Sequence, residues 1–440
     1  MKNNNDMIEW FRASSTYINA HRNKIFVVLL SGEALASANL PNIIYDLNLL
    51  HSLGVKLVLV HGARPQITAA LAATGVQSSY QRRHRITEAD SVPVIKQVVG
   101  GLSIDLEAMF SMGLRNSPMH GTDIRVCRGN FVTAKPLGIH DGVDFHYTGK
   151  VRKIHTRAIE QQLAQNNIVL LSNLGYSRTG EVFNLTVEEV ATEAAIALNA
   201  EKLILFIPSA GVKDSDGNLL ASLSPTDAQS HAKALAQRDD VDSICISHAL
   251  EAAVKACAHS VHRSHLISFE QNGALLQELF TREGNGSLVG TDNFAELADA
   301  TIDDVVGIIE LIKPLEKEGI LVERSRELLE TEIENFKIVK LEGIIIACAA
   351  LYPYADNRGE LACIAIHPQY QKNGYGDKLL TSLEKKARSL GLKTLFVLTT
   401  VTDHWFMEKG FVGASLSDLP EKKQLLYNYQ RKSKVLIKQL

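Results

Sequence analysis

Cysteine is scarce in this sequence, and its spacing carries no metal or redox motif. The five cysteines are scattered, and no two of them form a C-x-x-C pair: Cys127, Cys245, Cys257, Cys348 and Cys363. This pattern argues against a disulfide scaffold and a structural zinc site, so we predict no bound metal. Scattered cysteines are typical of proteins in a reducing compartment, and we expect this one to be cytoplasmic.

Long hydrophobic runs are also missing. The longest apolar run, GIIIACAALYPY from Gly343, is shorter than the roughly 20 residues of a membrane-spanning helix. Its β-branched residues favour a buried strand instead. The N-terminal stretch MKNNNDMIEWFRASS is polar, so we expect no signal peptide. The net charge of −3 gives no general reason to expect nucleic-acid binding. We therefore expect neither a membrane nor a nucleic acid as a partner.

The length of 440 residues predicts at least two domains. Strands alternate with helices over the first two-thirds of the chain, which indicates an α/β domain of three layers around a mainly parallel sheet. The strand patterns lie at 24–30, 55–60, 167–172 and 201–208. The stretch REGNGSLVGTDN (282–293) is rich in glycine and polar residues, which marks a boundary. We predict a first domain at 1–287, a linker at 288–296 and a second, smaller α/β domain at 297–440.

The second domain contains a glycine turn of the kind that binds phosphate. The stretch HPQYQKNGYGDKLL (367–380) places Gly374 and Gly376 between an apolar run and a leucine-rich helical pattern. Glycines let the backbone approach a phosphate closely, and N–H groups at a helix N-terminus bind anions. A dinucleotide-binding unit is a poor fit, because the third glycine of G-x-G-x-x-G and the acidic residue about 20 positions further on are missing.

The order of elements around this turn resembles that of the GNAT-type N-acetyltransferases. Two helices, three strands, the glycine turn, a helix, a strand and a short helix follow one another, and Gln371, Gly374 and Gly376 match the signature Q/R-x-x-G-x-G/A. The resemblance implies acetyl-CoA as co-substrate, with its diphosphate at the turn and its pantetheine along the preceding strand. The cofactor-binding residues it implies are Ile364, Ile366, Gln371, Gly374, Tyr375 and Gly376.

The same resemblance points to the residues that transfer the acetyl group. An amine substrate is protonated at neutral pH and needs a base, for which Glu360 in the preceding strand is our candidate. The alternative is a solvated glutamate at a strand end. The family often uses a tyrosine to protonate the leaving thiolate, but its F-Y pair is Trp405-Phe406 here. We predict Thr399 for that role, although a hydroxyl at this position also suits a helix N-cap.

Four segments resemble the bacterial N-acetylglutamate synthases: ILVERSRE (320–327), LACIAIHP (361–368), VLTT…HWF (397–406) and YNYQRKSKVL (427–436). The similarity extends over essentially the whole chain. It implies acetyl transfer to the α-amino group of L-glutamate, the first step of arginine biosynthesis. Guanidinium groups bind carboxylates in a bidentate geometry, which suits this substrate. The substrate-binding candidates are Arg324, Cys363, Thr400, His404 and Arg431, and for each arginine the alternative is a surface cation.

The first domain resembles the amino-acid kinase fold, and acetylglutamate kinase in particular, but it lacks two parts of a kinase site. A kinase of this type carries a lysine in a K-x-G-G segment after its first strand, where this sequence reads LLSG at 29–32. Its second glycine loop, H-G-G-G, is HGARP here, with Ala63 and Arg64 in place of glycines. Because phosphoryl transfer depends on positioning and charge neutralisation, we predict a domain without kinase activity.

Relatives that respond to arginine bind it beside an N-terminal helix that carries a tyrosine, and FRASSTYINAHRNK (11–24) is similar to that helix. The resemblance implies feedback regulation by L-arginine through Tyr17, Lys255, Ser268, Glu283, Gly284 and Gly286. The alternative is that the helix is only an oligomer contact and Glu283 a helix-end charge. We also expect a ring-like homo-oligomer, such as a hexamer.

Two other functions stay open at this point. The first is an active amino-acid kinase with an accessory domain, and the second is a non-catalytic amino-acid sensor that binds through both domains. The missing parts of the kinase site argue against the first. Glu360 and the intact glycine turn argue against the second.

Overall fold

The computed structural model describes residues 14–440 apart from 16, 82–83, 113–123, 239, 282–283, 291–295, 342–343, 372–373, 402, 426 and 428–432. The chain divides into two compact units, Met1–Thr291 and Asp292–Leu440. Among the described residues, no helix is long and apolar enough to cross a membrane. The five cysteines are free thiols.

The first unit alternates strands and helices. Its strands are β1 (Ile25–Leu30), β2 (Lys56–His61), β3 (Tyr80–Gln81), β4 (His84–Arg85), β5 (Val126–Cys127), β6 (Val132–Pro136), β7 (Ile139–His140), β8 (Val143–Asp144), β9 (Gly149–Ile154), β10 (Ile168–Ser172), β11 (Leu174–Tyr176), β12 (Val182–Asn184), β13 (Lys202–Ile207), β14 (Ser222–Leu223), β15 (Arg263–Ser268) and β16 (Gly286–Gly290). Its helices are α1 (Gly32–Ala36), α2 (Leu40–Ser52), α3 (Arg64–Ala73), α4 (Ser91–Ser111), α5 (Thr156–Ala164), α6 (Val187–Ala197), α7 (Pro225–Leu235), α8 (Val241–Cys257) and α9 (Ala274–Phe280).

An eight-stranded sheet forms the centre of the first unit, in the order β14-β16-β15-β13-β1-β2-β10-β5. Neighbouring strands are parallel except β15 and β16, which confirms the predicted mainly parallel sheet. In β1, every residue after Ile25 is buried, because helices cover both faces of the sheet. Strand β16 extends to Gly290, so residues 288–290 of the predicted linker lie inside this sheet.

The two faces of the central sheet are covered by different helices. Val27 and Leu29 of β1 pack in one cluster with residues of α6 and α8. Phe26, which alternates with them and therefore faces the other way, is fully buried, and α9 contacts β15. A second sheet, β12-β11-β6-β9, adjoins this core. We did not predict the second sheet, because its strands are short and carry polar residues, as in GKVRKI of β9.

The second unit has one mixed sheet with helices on both faces. Its strands are β17 (Glu296–Asp299), β18 (Phe336–Leu341), β19 (Ile344–Pro353), β20 (Arg358–Ile366), β21 (Thr394–Thr399), β22 (Val412–Ala414) and β23 (Lys434–Gln439). Its helices are α10 (Val305–Lys317), α11 (Arg326–Glu332), α12 (Tyr375–Ser389), α13 (Asp403–Glu408) and α14 (Glu421–Leu425). The sheet order is β17-β18-β19-β20-β21-β23-β22, and among the strands that the structure describes β20 and β21 are the one parallel pair within it.

Amphipathic helices explain the two cores of the second unit. Ile308 and Ile312 of α10 pack with Cys348 and Ala350 of β19 on one face of the sheet. Residues of α12 pack with Val397 of β21 on the other face. The predicted order of helices and strands is confirmed from α10 to α13. Strand β17 was not predicted, because only four residues form it.

Candidate functional site

Strands β20 and β21 separate part-way along the sheet of the second unit. They pair from Arg358↔Thr394 to Leu361↔Val397. Beyond that point β20 continues against β19, and β21 continues against β23. The facing edges of both strands therefore carry backbone groups that no described strand pairs with. Because buried N–H and C=O groups need partners, the space between the two strands suits a ligand that is itself rich in amides.

The glycine turn connects β20 to α12, as predicted. Gly374 adopts a left-handed φ of 72° and is the N-cap of α12. A Cβ at Gly374 would meet nothing within 4 Å, so glycine is needed there for the backbone conformation and the space in front of it is open. The first amide N–H groups of α12 have no acceptor within the helix, which suits them to bind a diphosphate.

Gly376 has a different physical role. A Cβ at Gly376 would lie 3.1 Å from Ile366 Cδ1 and 3.1 Å from Trp405 Cζ2, so the first turn of α12 packs closely on the end of β20 and on α13. Ile364 and Tyr375, the first residue of α12, are half-buried against the core on the α12 face of the sheet, and Gln371 is exposed on the turn. The structure thus places the whole predicted set between the end of β20 and the start of α12.

Glu360 lies in β20 beside the point where the two strands separate. It is only 6% exposed, so it is not a solvated strand-end residue. One carboxylate oxygen lies 2.6 Å from Lys423 Nζ, and the other accepts a hydrogen bond from the Tyr354 hydroxyl at 3.1 Å. Burial and the neighbouring Glu360 carboxylate raise the pKa of Tyr354, so its hydroxyl stays protonated and donates. Sequence reasoning found Glu360 but neither of its partners.

Arg324 reaches the sheet from the loop between α10 and α11. Its guanidinium donates to the Val322 carbonyl at 3.1 Å and to the Tyr352 hydroxyl. Tyr352 lies directly opposite Glu360 in the β19–β20 register. Burial acts to lower the pKa of Arg324, but Cys363 and Tyr352 nearby outweigh burial and leave the pKa above its ordinary value. The guanidinium is therefore a permanent positive charge beside Tyr352 and Cys363.

Cys363 lies at a bulge in β20, where the β19–β20 register shifts. Its φ is 53°, and its side chain is buried in the cluster beneath α10. The adjacent Cys348 thiol and the Arg324 guanidinium hold the pKa of Cys363 below its ordinary value. The structure therefore brings together three predicted site residues on the face of the sheet that α10 covers: Arg324, Glu360 and Cys363.

Thr399 lies on the other face of the sheet. Side chains alternate along a strand, so Thr399 shares the face of Val397, which packs against α12. Glu360 instead pairs with Phe396 and shares the opposite face. The Thr399 hydroxyl accepts a hydrogen bond from the Val401 amide at 3.4 Å. Its role as the acid stays a prediction, and the alternation of side chains does not favour that role.

The remaining candidates for the acceptor site lie at the end of β21 and in the last strand connection. Thr400 and His404 are exposed there. Arg431 lies outside the described residues. The described candidates that are buried together are therefore Glu360, Arg324 and Cys363, on the face that α10 covers.

Tyr17 lies in a short helical segment before β1 and is 8% exposed. The ring centroid of His21, on the same segment, lies 5.3 Å from that of Phe26 and 5.9 Å from that of Phe280. His21 Nε2 also lies 3.0 Å from the Leu279 carbonyl oxygen. The segment therefore packs on α9, on the face of the central sheet that Phe26 occupies.

Three buried ionisable residues form a chain of contacts on this same face. Lys202 Nζ lies 3.3 Å from His265 Nε2, and His265 Nδ1 lies 2.6 Å from Glu278 Oε1. Glu278 Oε2 accepts a hydrogen bond from the Asn285 amide at 2.6 Å. Burial acts to raise the pKa of Glu278, but these bonds outweigh it and leave the pKa below its ordinary value. Sequence reasoning missed all three residues, although an ionisable residue in an apolar strand such as KLILFI is a signal of this kind.

The predicted glycines adjoin this chain of contacts. A Cβ at Gly284 would lie 2.7 Å from Glu278 Oε2, and a Cβ at Gly286 would lie 2.5 Å from the Leu266 carbonyl oxygen. Ser268 ends β15, next to the residue that pairs with Gly286. Tyr17, Ser268, Gly284 and Gly286 thus lie around α9 and β15, and their role in one site stays a prediction. Glu283 lies outside the described residues.

Lys255 does not belong to this group. It lies on α8, which packs on the other face of the central sheet, and its Nζ is 2.6 Å from Glu193 Oε1 of α6. The prediction that Lys255 joins the arginine candidates is corrected by this placement. A sequence pattern indicates which side of a helix is buried but not which face of a sheet the helix covers. Lys202 instead lies on the α9 face, since it pairs with Phe26.

A cleft of about 200 Å³ in the first unit is lined by residues of both altered kinase loops, among them Gly32, Ala63 and Arg64. A Cβ at Gly32 would lie 2.5 Å from Pro65 Cδ, so the two loops pack directly on each other. The guanidinium carbon of Arg64 lies 4.9 Å from the ring centroid of Tyr80. In the second of these loops, the side chains of Ala63 and Arg64 therefore stand where the kinase signature has glycines.

Two family models match the chain. Residues 24–268 match the amino acid kinase family, and residues 303–408 match the acetyltransferase (GNAT) family. Both resemblances that the sequence motifs indicate are thus confirmed.

The similarity to known proteins extends over nearly the whole chain. An amino-acid acetyltransferase of Ectopseudomonas mendocina is 53% identical over 436 residues, which cover 99% of this chain and 100% of that protein. The enzyme of the same name from Azotobacter vinelandii is 52% identical over the same shares. The structure of N-acetylglutamate synthase from Neisseria gonorrhoeae complexed with coenzyme A and L-arginine matches with a TM-score of 0.83 and 36% identity, covering 98% of this chain and 99% of that one. The chain belongs to the amino-acid acetyltransferase family.

Proposed function

We propose that this chain transfers the acetyl group of acetyl-CoA to the α-amino group of L-glutamate, which gives N-acetyl-L-glutamate and CoA in the first step of arginine biosynthesis. The observation that carries the proposal is the position of Glu360, buried beside the separated strands and on the same face as Arg324. A structure of the N. gonorrhoeae enzyme complexed with coenzyme A and N-acetyl-glutamate, 37% identical with a TM-score of 0.62, supports glutamate as the acceptor.

The binding of acetyl-CoA follows from the backbone of the second unit. Its diphosphate accepts hydrogen bonds from the amides around Gly374 at the start of α12. Its pantetheine amides pair with the free edge of β20 beyond Leu361. This arrangement brings the thioester toward the point where β20 and β21 separate, next to Glu360. No metal is required, because the charges at this site are supplied by side chains and helix amides.

The chemical step needs one proton removed before bond formation. Glu360 accepts a proton from the α-ammonium of glutamate, directly or through a water, and the free amine attacks the thioester carbonyl carbon. The C–N bond forms and the C–S bond breaks as the tetrahedral intermediate releases the CoA thiolate. The nitrogen loses its second proton at this stage, which balances the proton that the thiolate gains, and the first proton passes from Glu360 to solvent. Tyr354 holds the second oxygen of Glu360 and so fixes the orientation of the base. Arg324 supplies a guanidinium for a carboxylate of the substrate.

A thiol-release assay with acetyl-CoA tests this function. We expect CoA release that depends on L-glutamate and is much weaker with aspartate, glutamine or ornithine. A parallel assay with ATP and N-acetylglutamate should show no ADP release, because the altered loops of the first unit lack the lysine and the glycines of a kinase. ADP release would favour the active kinase, and binding of amino acids without either product would favour the sensor.

We infer that L-arginine regulates the enzyme through the site around α9. The neighbourhood of Tyr17, Gly284 and the buried Glu278 carboxylate supports this location, since a guanidinium binds a carboxylate in a bidentate geometry. The N. gonorrhoeae structure complexed with L-arginine supports the ligand. The proposal replaces Lys255 by Lys202 and adds His265 and Glu278 to the predicted set.

The variant Glu278→Gln tests the arginine site. We expect it to remove most of the effect of arginine on the glutamate-dependent rate, since allosteric coupling free energies are typically about 1–3 kcal/mol. The measurement is the rate at several arginine concentrations in both proteins. Glu193→Gln is the matched control, because it removes the partner of Lys255 on the other face of the sheet and should leave the arginine response intact. Equal arginine responses in wild type and Glu278→Gln would contradict the assignment.

We also propose a first domain that extends to Gly290, the end of β16, a second domain that begins by Glu296, the start of β17, a cytoplasmic location and a ring-like homo-oligomer. The free thiols of the five cysteines support a reducing compartment. Light scattering on the purified chain, with and without arginine, measures the number of subunits directly.

A further inference from the structure

The cleft beside the altered kinase loops continues into a second cavity of about 210 Å³ in the first unit. Four residues line both spaces, so together they form one groove: His84, Thr186, Glu188 and His248. We call it the α6 groove, because Thr186 is the N-cap of α6 and Glu188 lies in its first turn. Helix α6 packs on the face of the central sheet opposite α9, so the groove is separate from the site around α9. Neither acetyl transfer nor the arginine site uses it.

Carboxylates line both parts of the α6 groove. Glu33 lines the first cavity, and Glu188, Glu189 and Glu251 line the second. Burial raises the pKa of Glu188, and the Glu33 and Glu251 carboxylates raise it further. Burial also raises the pKa of Glu189. A cation held among these carboxylates would offset both their burial and their mutual repulsion.

Two of the cations that line the groove are already engaged with the protein. Lys255 forms an ion pair with Glu193 at 2.6 Å. Arg85 is buried, and its guanidinium donates to the Arg64 carbonyl at 3.2 Å. The Arg64 side chain is exposed, its guanidinium carbon lies 4.9 Å from the Tyr80 ring centroid, and it forms no ion pair within the described part of the chain. One end of the groove therefore offers a guanidinium to a carboxylate.

Two buried side chains of the groove each have an oxygen atom without a hydrogen-bond partner among the described residues: Asn173 Oδ1 and Thr192 Oγ1. Asn173 is 5% exposed and lines the first cavity, and Thr192 is 1% exposed and lines the second. Asn173 Nδ2 donates to Asn184 Oδ1 at 2.9 Å, and Asn184 Nδ2 donates to the Thr87 hydroxyl at 3.1 Å, so Asn173 Oδ1 is the atom left to accept. Buried acceptors of this kind favour a ligand with N–H groups.

A free amino acid with a basic side chain is complementary to this groove, since it carries a carboxylate at one end and N–H cations along the rest. We propose that the α6 groove binds such an amino acid, with its carboxylate on Arg64 and its side-chain cation among Glu188, Glu189 and Glu251. Its α-ammonium donates to Asn173 Oδ1. A phosphate has the wrong charge for these carboxylates, which separates this class of ligand from the nucleotide of a kinase.

Calorimetric titration of the full chain with L-ornithine tests the groove. The parent protein carries Glu278→Gln, which disables the site around α9, and saturating coenzyme A with L-glutamate fills the acetyl-transfer site without turnover. We expect Glu188→Gln to raise the Kd for ornithine by at least about tenfold, because it removes a charge-assisted contact. Arg64→Met should raise this Kd to a similar extent. The same variant should change the Kd for the diamine putrescine, which has no carboxylate, by less than about twofold.

Glu160→Gln and Arg157→Met are the matched controls, since both residues are exposed on α5 and line neither cavity. They should keep the Kd of the parent protein. Because Arg64 is exposed, Arg64→Met gives a folded variant even if Glu188→Gln is unstable. The inference is overturned if the parent protein binds no ornithine, if Glu188→Gln and Glu160→Gln have equal Kd values, or if Arg64→Met weakens putrescine binding as much as ornithine binding. Acetyl transfer is not measured in these titrations, so none of these outcomes bears on the proposed function.

Discussion

Replacing Glu360 by Gln is expected to lower kcat for L-glutamate by about 10²–10⁴-fold at neutral pH. The amide has nearly the shape of the carboxylate and can still accept from Tyr354, but it cannot take a proton from the substrate ammonium. The affinity for coenzyme A should stay within about twofold of the wild-type value, because the Glu360 side chain does not belong to the glycine turn or to the free edge of β20. Steady-state thiol release gives kcat, and calorimetric titration gives the affinity for coenzyme A.

A matched control for this variant is Glu330→Gln. Glu330 forms a surface ion pair with Arg326 on α11, 2.7 Å apart, and surface pairs of this kind contribute little to stability. Its kcat should equal that of the wild type. If Glu360→Gln retained wild-type kcat, proton removal would have to be assigned to another group and Glu360 would be a structural partner of Lys423.

Replacing Gly374 by Val is expected to raise the KM for acetyl-CoA by roughly 10–100-fold, the equivalent of about 1.4–2.8 kcal/mol of lost binding. The structure shows open space around a Cβ at Gly374, so a branched side chain would extend into the space in front of the α12 amides and exclude a phosphate. The measurement is the rate against acetyl-CoA concentration at saturating glutamate.

Gly391→Val is a close control for the backbone strain in Gly374→Val. Gly391, at the other end of the same helix, has a φ of 75°, and a Cβ added there would also meet nothing within 4 Å. Gly374→Val and Gly391→Val therefore share the cost of a left-handed valine, about 1–2 kcal/mol. Only the first should change the KM for acetyl-CoA. Similar KM values in the two variants would mean that the turn does not bind the diphosphate.

The second unit was largely predictable because its signals are local. The helix–strand order and the spacing of Gln371, Gly374 and Gly376 are properties of neighbouring residues, and they point to one end of one strand. Glu360 was found for the same reason, since it precedes that turn in the same strand. Its partners Lys423 and Tyr354 were not found, because their contacts with it depend on how a later helix and a strand end pack on the sheet.

In the first unit, the sequence predicts the strands but not which face of the sheet each helix covers. The apolar strands of its central sheet are evident from runs such as IFVVLL, but the face that each helix covers is not. The assignment of Lys255 to the arginine site rested on resemblance alone. The fold places Lys255 on the face of the central sheet opposite α9. Lys202, His265 and Glu278 come from three separate elements, β13, β15 and α9, so only the tertiary structure brings them together.

The bulge at Cys363 has a consequence for which residues β20 presents to each ligand. In a regular strand Glu360 and Cys363 would point in opposite directions, since they are an odd number of positions apart, with two residues between them. The one extra residue restores Cys363 to the side of Glu360 and turns Ile364 and Ile366 toward α12. A strand of the same length without the bulge would thus exchange the side chains offered to the amino acid with those offered to the thioester carrier, whereas deleting the one extra residue would leave Ile364 and Ile366 facing α12.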